Sequence, residues 1–344
     1  MKKNMLLIFF IAAHTLLRAQ FDNVGTSAMN FLKIGVGARG IAMGSSQVAS
    51  VNDATALYWN PAGMANLTAN QIFLSNNNWI ADLNHNFIAA AVPAGDFGIV
   101  GVSVSYLSMG DIKVTNWDNT YGTGETFTAN SAAIGFGWAR HLNDRFMVGF
   151  QLKYLHESIA NSTANSFALD VGSQYDIGWL RLGMSLQNFG PQTRLEGREL
   201  QVRIDPLPEV GSNPSDVTAN LETQNWSLPI VFQIGFAVTP YRGEYFRLTS
   251  SIDYRDERDY RPQTLFGAEF VIQEMIFLRG GIRNRVVSSV SNSIVDIEDS
   301  YLISAGVGVA YGIPTTDMVV RFDYAYQELA VFNNSQLISV AFDF

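Results

Sequence analysis

Gly35, Gly37 and Gly40, in the stretch IGVGARG, form the pattern G-x-G-x-x-G. In dinucleotide-binding enzymes these glycines bring a tight turn and a helix N terminus close to a pyrophosphate. That chemistry also requires a buried strand before the turn, a helix at the third glycine and an acidic residue about 20 positions later. Here only FLKI precedes the glycines, and Asp53 is the first acidic residue after them. The sequence therefore predicts no nucleotide site, and we expect no cofactor.

The other reactive side chains form no catalytic pattern. There is no G-x-S-x-G elbow for a lipase-type serine and no phosphate-binding P-loop. His85, His141 and His156 stand at separate predicted strand ends without the spacing of zinc ligands. The acidic runs 253–259 and 296–299 lack the glycine of a calcium loop, which favours solvated loop charge over a metal site. We therefore expect a non-enzymatic protein without a bound metal.

Composition and the first residues indicate an exported β-protein. Charged residues make up 15% of the chain, below the roughly 25% typical of soluble domains. A net charge of -9 argues against nucleic acid as a partner, and the absence of cysteine excludes disulfides. Residues 1–19 combine a basic start, an apolar run too short for a membrane anchor and Ala19 before Gln20. We predict a signal peptide cleaved after Ala19, with a buried N-terminal helix as the alternative.

After residue 70, apolar residues alternate with small or polar ones. Phe150 and Leu152, for example, share one face of a strand, and Gln151 and Lys153 share the other. Fourteen such strands are predicted, at about 71–79, 85–93, 96–107, 130–140, 145–156, 165–175, 178–187, 229–239, 245–254, 263–272, 275–283, 301–310, 317–327 and 336–344. Their lengths suit tilted membrane-spanning strands.

The connections and the C terminus favour a barrel. Short connections such as 94–95 and 176–177 alternate with mostly longer ones, including 157–164 and 328–335. This rhythm and a final amphipathic strand closed by Phe344 are typical of outer-membrane barrels, which have short periplasmic turns. The fold prediction is all-β, a 14-stranded antiparallel transmembrane β-barrel over 71–344. A soluble β-sandwich or propeller is the alternative, but it would need a second layer over each apolar face.

Several charges fall at predicted inward positions. Such charges commonly pair across strands and brace a narrow lumen, the interpretation we favour; a polar conduction path is the alternative. The candidates are Lys153, Arg181, Arg247, Asp253, Glu269, Arg279, Arg283, Arg321 and Asp323.

The block from Phe31 to Leu67 resembles the N-terminal signature of the PorV/PorQ family, itself similar to FadL-like outer-membrane barrels. The shared elements are Phe31-Leu32, Gly37-Ala38-Arg39, Ala42-Met43-Gly44, Asp53 and Tyr58-Trp59 followed by Asn60, Pro61, Ala62 and Gly63. Ser227–Val238 also resembles a later strand opening of the family. The resemblance implies a 14-stranded barrel with a plug-like segment at 20–70, acting in type IX secretion by holding cargo or attachment machinery at the outer membrane.

Local patterns add detail to this segment and to the loops. Residues 53–59 predict a short helix capped by Asn52 or Asp53 and ended by Asn60-Pro61, and the nearby glycines suit close packing against a wall. In loop 188–228, LQVRI alternates, so Leu200, Val202 and Ile204 could pair with a partner's β-domain. An irregular lid is the alternative for this loop. Loop 108–129, with Trp117, is a second candidate surface.

We thus expect an outer-membrane barrel that acts through protein–protein contacts. Its expected partners are membrane lipid and secretion-system proteins or secreted cargo. A FadL-like channel for hydrophobic small molecules is the alternative. An outer-membrane phospholipase is a more distant one, because no Ser-His arrangement supports it.

Overall fold

The computed structural model describes residues 25–205, 217–285, 301–314, 316–329 and 332–344. The predicted signal peptide at 1–19 lies outside them and stays a prediction. Fourteen long strands follow the N-terminal segment: β1 Gln71–Asn78, β2 Asn84–Pro93, β3 Ile99–Ser108, β4 Ala129–His141, β5 Phe146–Ile159, β6 Ser162–Asp176, β7 Leu180–Phe189, β8 Val231–Arg242, β9 Phe246–Glu257, β10 Gln263–Ile272, β11 Ile276–Arg285, β12 Tyr301–Gly312, β13 Val319–Leu329 and β14 Phe332–Asp343.

These strands form one closed antiparallel barrel, which confirms the predicted fold. Each strand pairs with its neighbours along the chain, and β1 also pairs with β14, from Gln71 opposite Asp343 to Asn78 opposite Gln336. The short strand Glu196–Gly197 adds a further pairing to the first residues of β6. Closure leaves every long strand a partner on both sides, the condition for placing a sheet in lipid.

Alternation along the strands separates lipid from lumen. On β5, Phe150, Leu152 and Tyr154 are exposed on the outer face, whereas Gly149 and Gln151 are buried inside. Other strands repeat this pattern, including β1 over its whole length. The outer face is therefore apolar, and polar side chains are collected in the lumen.

The connections at one end are short, with at most six residues between consecutive strands. By the usual topology this end is periplasmic, and it also holds the C terminus. The predicted loops 157–164 and 328–335 are wrong, because strand residues occupy most of both ranges. β5 ends at Ile159 and β6 begins at Ser162, whereas β13 ends at Leu329 and β14 begins at Phe332. Likewise β9 continues to Glu257, into the run predicted as an acidic loop. Strand ends that extend beyond the bilayer keep their backbone hydrogen bonds to neighbouring strands. They lack the alternating apolar residues by which a strand is predicted from sequence.

The segment before β1 fills the lumen as a plug, which we define as residues 25–66. It contains two short helices, α1 Ala38–Ala42 and α2 Ala56–Trp59, and the 3-10 turns Asn30–Lys33 and Pro61–Asn66. Further 3-10 turns lie at Ile80–Asp82, Gly95–Phe97 and Arg198–Leu200. The predicted helix at 53–59 begins only at Ala56, and neither Asn52 nor Asp53 is its cap, because Thr55 holds the N-cap position.

The plug glycines allow close packing, as expected. A Cβ at Gly40 would lie 2.8 Å from the Trp59 ring, so these two parts of the plug touch directly. Gly44 has φ +65, and a Cβ there would lie 2.7 Å from the backbone oxygen of Phe266 on β10. The pattern G-x-G-x-x-G thus serves packing in the plug.

Candidate functional site

Asn60, in the motif Asn60-Pro61-Ala62-Gly63, joins the plug to the barrel wall. Its side chain is fully buried, and its Nδ2 donates to the oxygens of Val48, at 2.7 Å, and of Ser173 on β6, at 3.1 Å. Its Oδ1 accepts a hydrogen bond from the Ala62 amide at 3.2 Å. Asn60 is extended, with φ -165 and ψ 104, as expected before Pro61. One side chain therefore caps the Pro61–Asn66 turn and fastens it to the wall.

Glycines allow close backbone contact at this motif, both within the plug and between the plug and the wall. A Cβ at Gly63 would lie 2.6 Å from the oxygen of Val51, within the plug. On the wall, a Cβ at Gly149 of β5 would lie 2.5 Å from the backbone carbon of Pro61. The motif therefore seats the plug against β5 and β6 at contact distance.

The opposite side of the plug is held by a network of three arginines and three carboxylates. Within the wall, Arg279 Nε lies 2.7 Å from Glu269, and its Nη1 lies 2.6 Å from Asp323. From the plug, Arg39 Nε lies 3.1 Å from Glu269. The six members are Arg39, Asp53, Glu269, Arg279, Arg321 and Asp323.

Asp53 closes this network from the plug side. Its Oδ2 lies 3.2 Å from Arg321 Nη2 and 3.6 Å from Arg39 Nη1. Burial alone would raise the pKa of Asp53, but the charges of Arg321 and Arg39 and hydrogen bonds from Thr55 outweigh it, so its pKa is lowered. Burial opposes the charge of Arg39, yet Glu269 and Asp53 leave the pKa of Arg39 raised. Equal numbers of opposite charges make this burial tolerable, and each member depends on the others.

A β-bulge in β7 forms a third attachment of the plug to the wall. Gln187 and Asn188 are consecutive but both buried, and Asn188 has φ 60. Gln187 Nε2 donates to the carbonyls of Tyr58 and Trp59 at 2.7 Å each, at the end of α2. A bulge commonly redirects a side chain in this way. Here it aims two polar groups into the lumen side by side.

Lys153, a predicted lumen charge, lies beside this bulge. Its Nζ is 2.8 Å from Asp170 and also contacts Asn188 Oδ1. The Asn188 amide donates to Asp170 at 2.7 Å, and its side-chain nitrogen donates to the Pro229 oxygen at 2.9 Å. The adjoining cavity measures about 30 Å³, roughly the space of one water molecule. Its lining includes Leu57, Phe87, Ser103, Gln151, Lys153 and Asn188.

The remaining predicted lumen charges lie apart from the network. Asp253 is buried and accepts hydrogen bonds from the Val48 amide and Gln233 Nε2, both at 2.9 Å. Arg247 pairs with Glu274 at 2.9 Å next to a short turn, near the periplasmic end. Asp170 is not among the predicted lumen charges, although alternation along β6 places it inward, and neither are Arg39 and Asp53 of the plug.

The predicted partner-binding residues lie on two different outer hairpins. Gln201–Ile204 pairs with Val217–Asn220 in a two-stranded sheet in the described part of the chain, with Val202 opposite Ala219 and Ile204 opposite Val217. Leu200 and Val202 are partly exposed, and Ile204 is exposed. Trp117 belongs to the separate connection between β3 and β4, within the hairpin formed by Ile112–Lys113 and Thr126–Phe127, and is 99% exposed.

Two kinds of feature are absent from the residue ranges that the structure describes. Within these ranges, no helix has the length and apolar character needed to cross a membrane. Within the same ranges, no group of three or more His, Cys, Asp or Glu side chains is arranged to hold a metal ion.

Solved structures similar to this chain are FadL-like outer-membrane barrels. The CymD monoaromatic hydrocarbon channel aligns with a TM-score of 0.59 and 13% identity, over 92% of this chain and 99% of that one. The Pseudomonas putida toluene transporter TodX aligns at 0.58 and 10%, over 90% and 99%. A Pseudomonas aeruginosa FadL homologue aligns at 0.54 and 12%, over 90% and 98%. At such identities the likeness establishes the fold alone.

Sequence comparison identifies the family. No curated protein matches the chain. The family model described as type IX secretion system protein PorV matches residues 17–199, just over half of the chain. The expected family and outer-membrane location are thereby confirmed. The chain belongs to the PorV family of type IX secretion proteins, as an outer-membrane barrel.

Proposed function

We propose that this barrel is a closed anchor that binds a secreted protein or another secretion-system protein through its outer hairpins. The observation that carries the proposal is the filled lumen. The plug is fastened to the wall by the buried ion network on one side and by Asn60 on the other. A barrel closed in this way suits binding at its surface better than conduction.

The outer hairpins supply the surface that such binding requires. Ile204 and Val217 are opposite each other in the sheet formed by Gln201–Ile204 and Val217–Asn220, and they are 46% and 47% exposed. A short two-stranded sheet that carries apolar side chains can be extended by a strand from a β-rich partner. The fully exposed Trp117 offers an aromatic anchor of the type enriched at binding hot spots.

Co-purification from cells with an active secretion system tests the proposal. We would purify the barrel in mild detergent and identify its partners by mass spectrometry. Ile204→Thr with Val217→Thr removes apolar surface but keeps β-branched strand residues. Leu142→Thr, on an exposed short turn, is the matched control. We expect the double variant to lose a partner that the control keeps; recovery of the wild-type barrel alone would contradict the proposal.

The FadL-like channel hypothesis has only the shared fold in its favour. The hydrocarbon channels and toluene transporters are distant matches. A cavity of about 30 Å³ is too small for an aromatic hydrocarbon. Uptake of radiolabelled toluene by vesicles that contain the barrel would favour the channel over the anchor.

A further inference from the structure

The N-terminal part of the plug, Gly25–Ile34, lies at the end of the barrel opposite the short turns. The Gly25 amide donates to the oxygen of Asp259, at 3.2 Å, in the connection between β9 and β10. The Ala28 amide donates to the oxygen of Ser227, at 3.0 Å, in the last part of the connection before β8. Both connections belong to the outer end, so the segment begins at the extracellular mouth.

Contacts on two sides of the mouth tie this segment to the rim. Lys33 Nζ lies 3.0 and 3.1 Å from the two carboxylate oxygens of Asp259 and 4.0 Å from Glu257. Across the mouth, Met29 is buried in one apolar cluster with Leu155 on β5. The segment therefore crosses the opening from the β9 side to the β5 side.

Apolar side chains seal the space beneath this crossing. Four residues of the segment are buried with wall and loop residues in one cluster. Its larger members are Met29, Phe31, Leu32, Ile34, Leu107, Leu155 and Leu228. The cluster separates the outer mouth from the small cavity below, which Leu32 also lines.

The chain then descends through the whole barrel. At the lower end the oxygen of Ala65 lies 3.0 Å from His141 Nε2, on the last residue of β4 before a short turn. The Asn70 amide donates to the oxygen of Phe344 at 3.1 Å, just before β1 begins. Residues 25–70 thus run from the extracellular mouth to the periplasmic end.

We propose that Gly25–Ile34 is a strap on the extracellular surface, so that the chain enters its own barrel from outside. The strap adjoins the connection between β7 and β8, which carries the hairpin of Gln201–Ile204 and Val217–Asn220. Ser27 of the strap pairs with Ser227, and the neighbouring Trp226 pairs with Thr193.

Single-cysteine labelling tests this topology, since the chain contains no cysteine. Intact cells that carry Thr26→Cys would be treated with a membrane-impermeant maleimide. Thr26 is exposed, and so are the controls Trp117→Cys on an outer loop and Asp144→Cys on a short turn. Heat-modifiable migration in gels would verify that each variant is folded.

We expect Thr26→Cys to react like Trp117→Cys, and Asp144→Cys to react only after the outer membrane is permeabilised. Labelling of Thr26→Cys only after permeabilisation or denaturation would overturn the proposal. A reversed pattern for the two controls would overturn it as well, because the sidedness would be wrong. These outcomes do not depend on whether any partner is recovered.

Contact of the strap with the loop is tested by oxidising Ser27→Cys combined with Ser227→Cys. We expect a covalent link between the peptides that contain positions 27 and 227. Ser27→Cys with Asp144→Cys is the control and should give no link. Absence of a link in the folded first variant would contradict the position of the strap.

Discussion

Gly281 and Gly280 are neighbours on β11 that point to opposite sides of the wall, and they allow the seating of the plug to be measured. An ideal Cβ at Gly281 would lie 2.6 Å from the Cα of Gly44 in the plug, whereas a Cβ at Gly280 meets no atom within 4 Å. Ordinary contacts begin at 3.4 Å. The Gly44 nitrogen and the Met43 carbonyl carbon would lie closer still, so Gly281→Ala must displace plug backbone by more than an ångström.

Overpacking of this kind costs about 1–3 kcal/mol, whereas a substitution in open space usually changes stability by less than about 0.5 kcal/mol. We expect Gly281→Ala to lower the free energy of unfolding by the larger amount and Gly280→Ala to leave it nearly unchanged. Urea unfolding in detergent micelles, followed by tryptophan fluorescence, gives both values. Equal effects of the two substitutions would refute the packing of the plug on β11.

Three further predictions concern the plug and the hairpin. Asp53→Asn removes the negative charge that pairs with Arg39 and Arg321, and it should lower the free energy of unfolding by about 3–5 kcal/mol in the same assay. An unchanged free energy of unfolding would contradict a stabilising role of the network. The pKa of Asp53 in the folded protein is lowered from the ordinary value of 3.8. The charged Asp53 therefore stabilises the folded protein above pH 3.8, and this contribution is lost as the pH falls through the lowered pKa. Bilayer conductance should therefore stay low at neutral pH and rise in acid, and Asp53→Asn should remove this part of the response. Ile204→Thr with Val217→Thr should keep the wild-type unfolding midpoint, so that a large shift would mean that the hairpin supports the fold.

The strands could be predicted because each one separates two environments. Lipid on one side and lumen on the other impose a period of two, which is visible in Phe150, Gln151 and Leu152. The outer strand ends could not be predicted in the same way. Above the bilayer both faces are polar, so Ile159 and Ser162 resemble loop residues although they pair with each other.

Part of the candidate site could also be predicted from the sequence. The short turn at 273–275 fixes the register of β10 and β11, which places Glu269 opposite Arg279. The partners of Arg39 depend on the path of the plug, for which no local pattern exists. The bulge at Gln187 and Asn188 breaks the alternation, so period-two reasoning assigns one of the two residues to the wrong face.

Site-specific photo-crosslinking in intact cells tests the anchor most directly. A benzophenone amino acid would be placed at Val217 on the outer hairpin and, as the matched control, at Leu142 on a short turn; both are exposed. We expect a specific adduct at Val217 with a secreted or secretion-system protein and no such adduct at Leu142. No adduct at Val217 during active secretion, or the same adduct at Leu142, would contradict it.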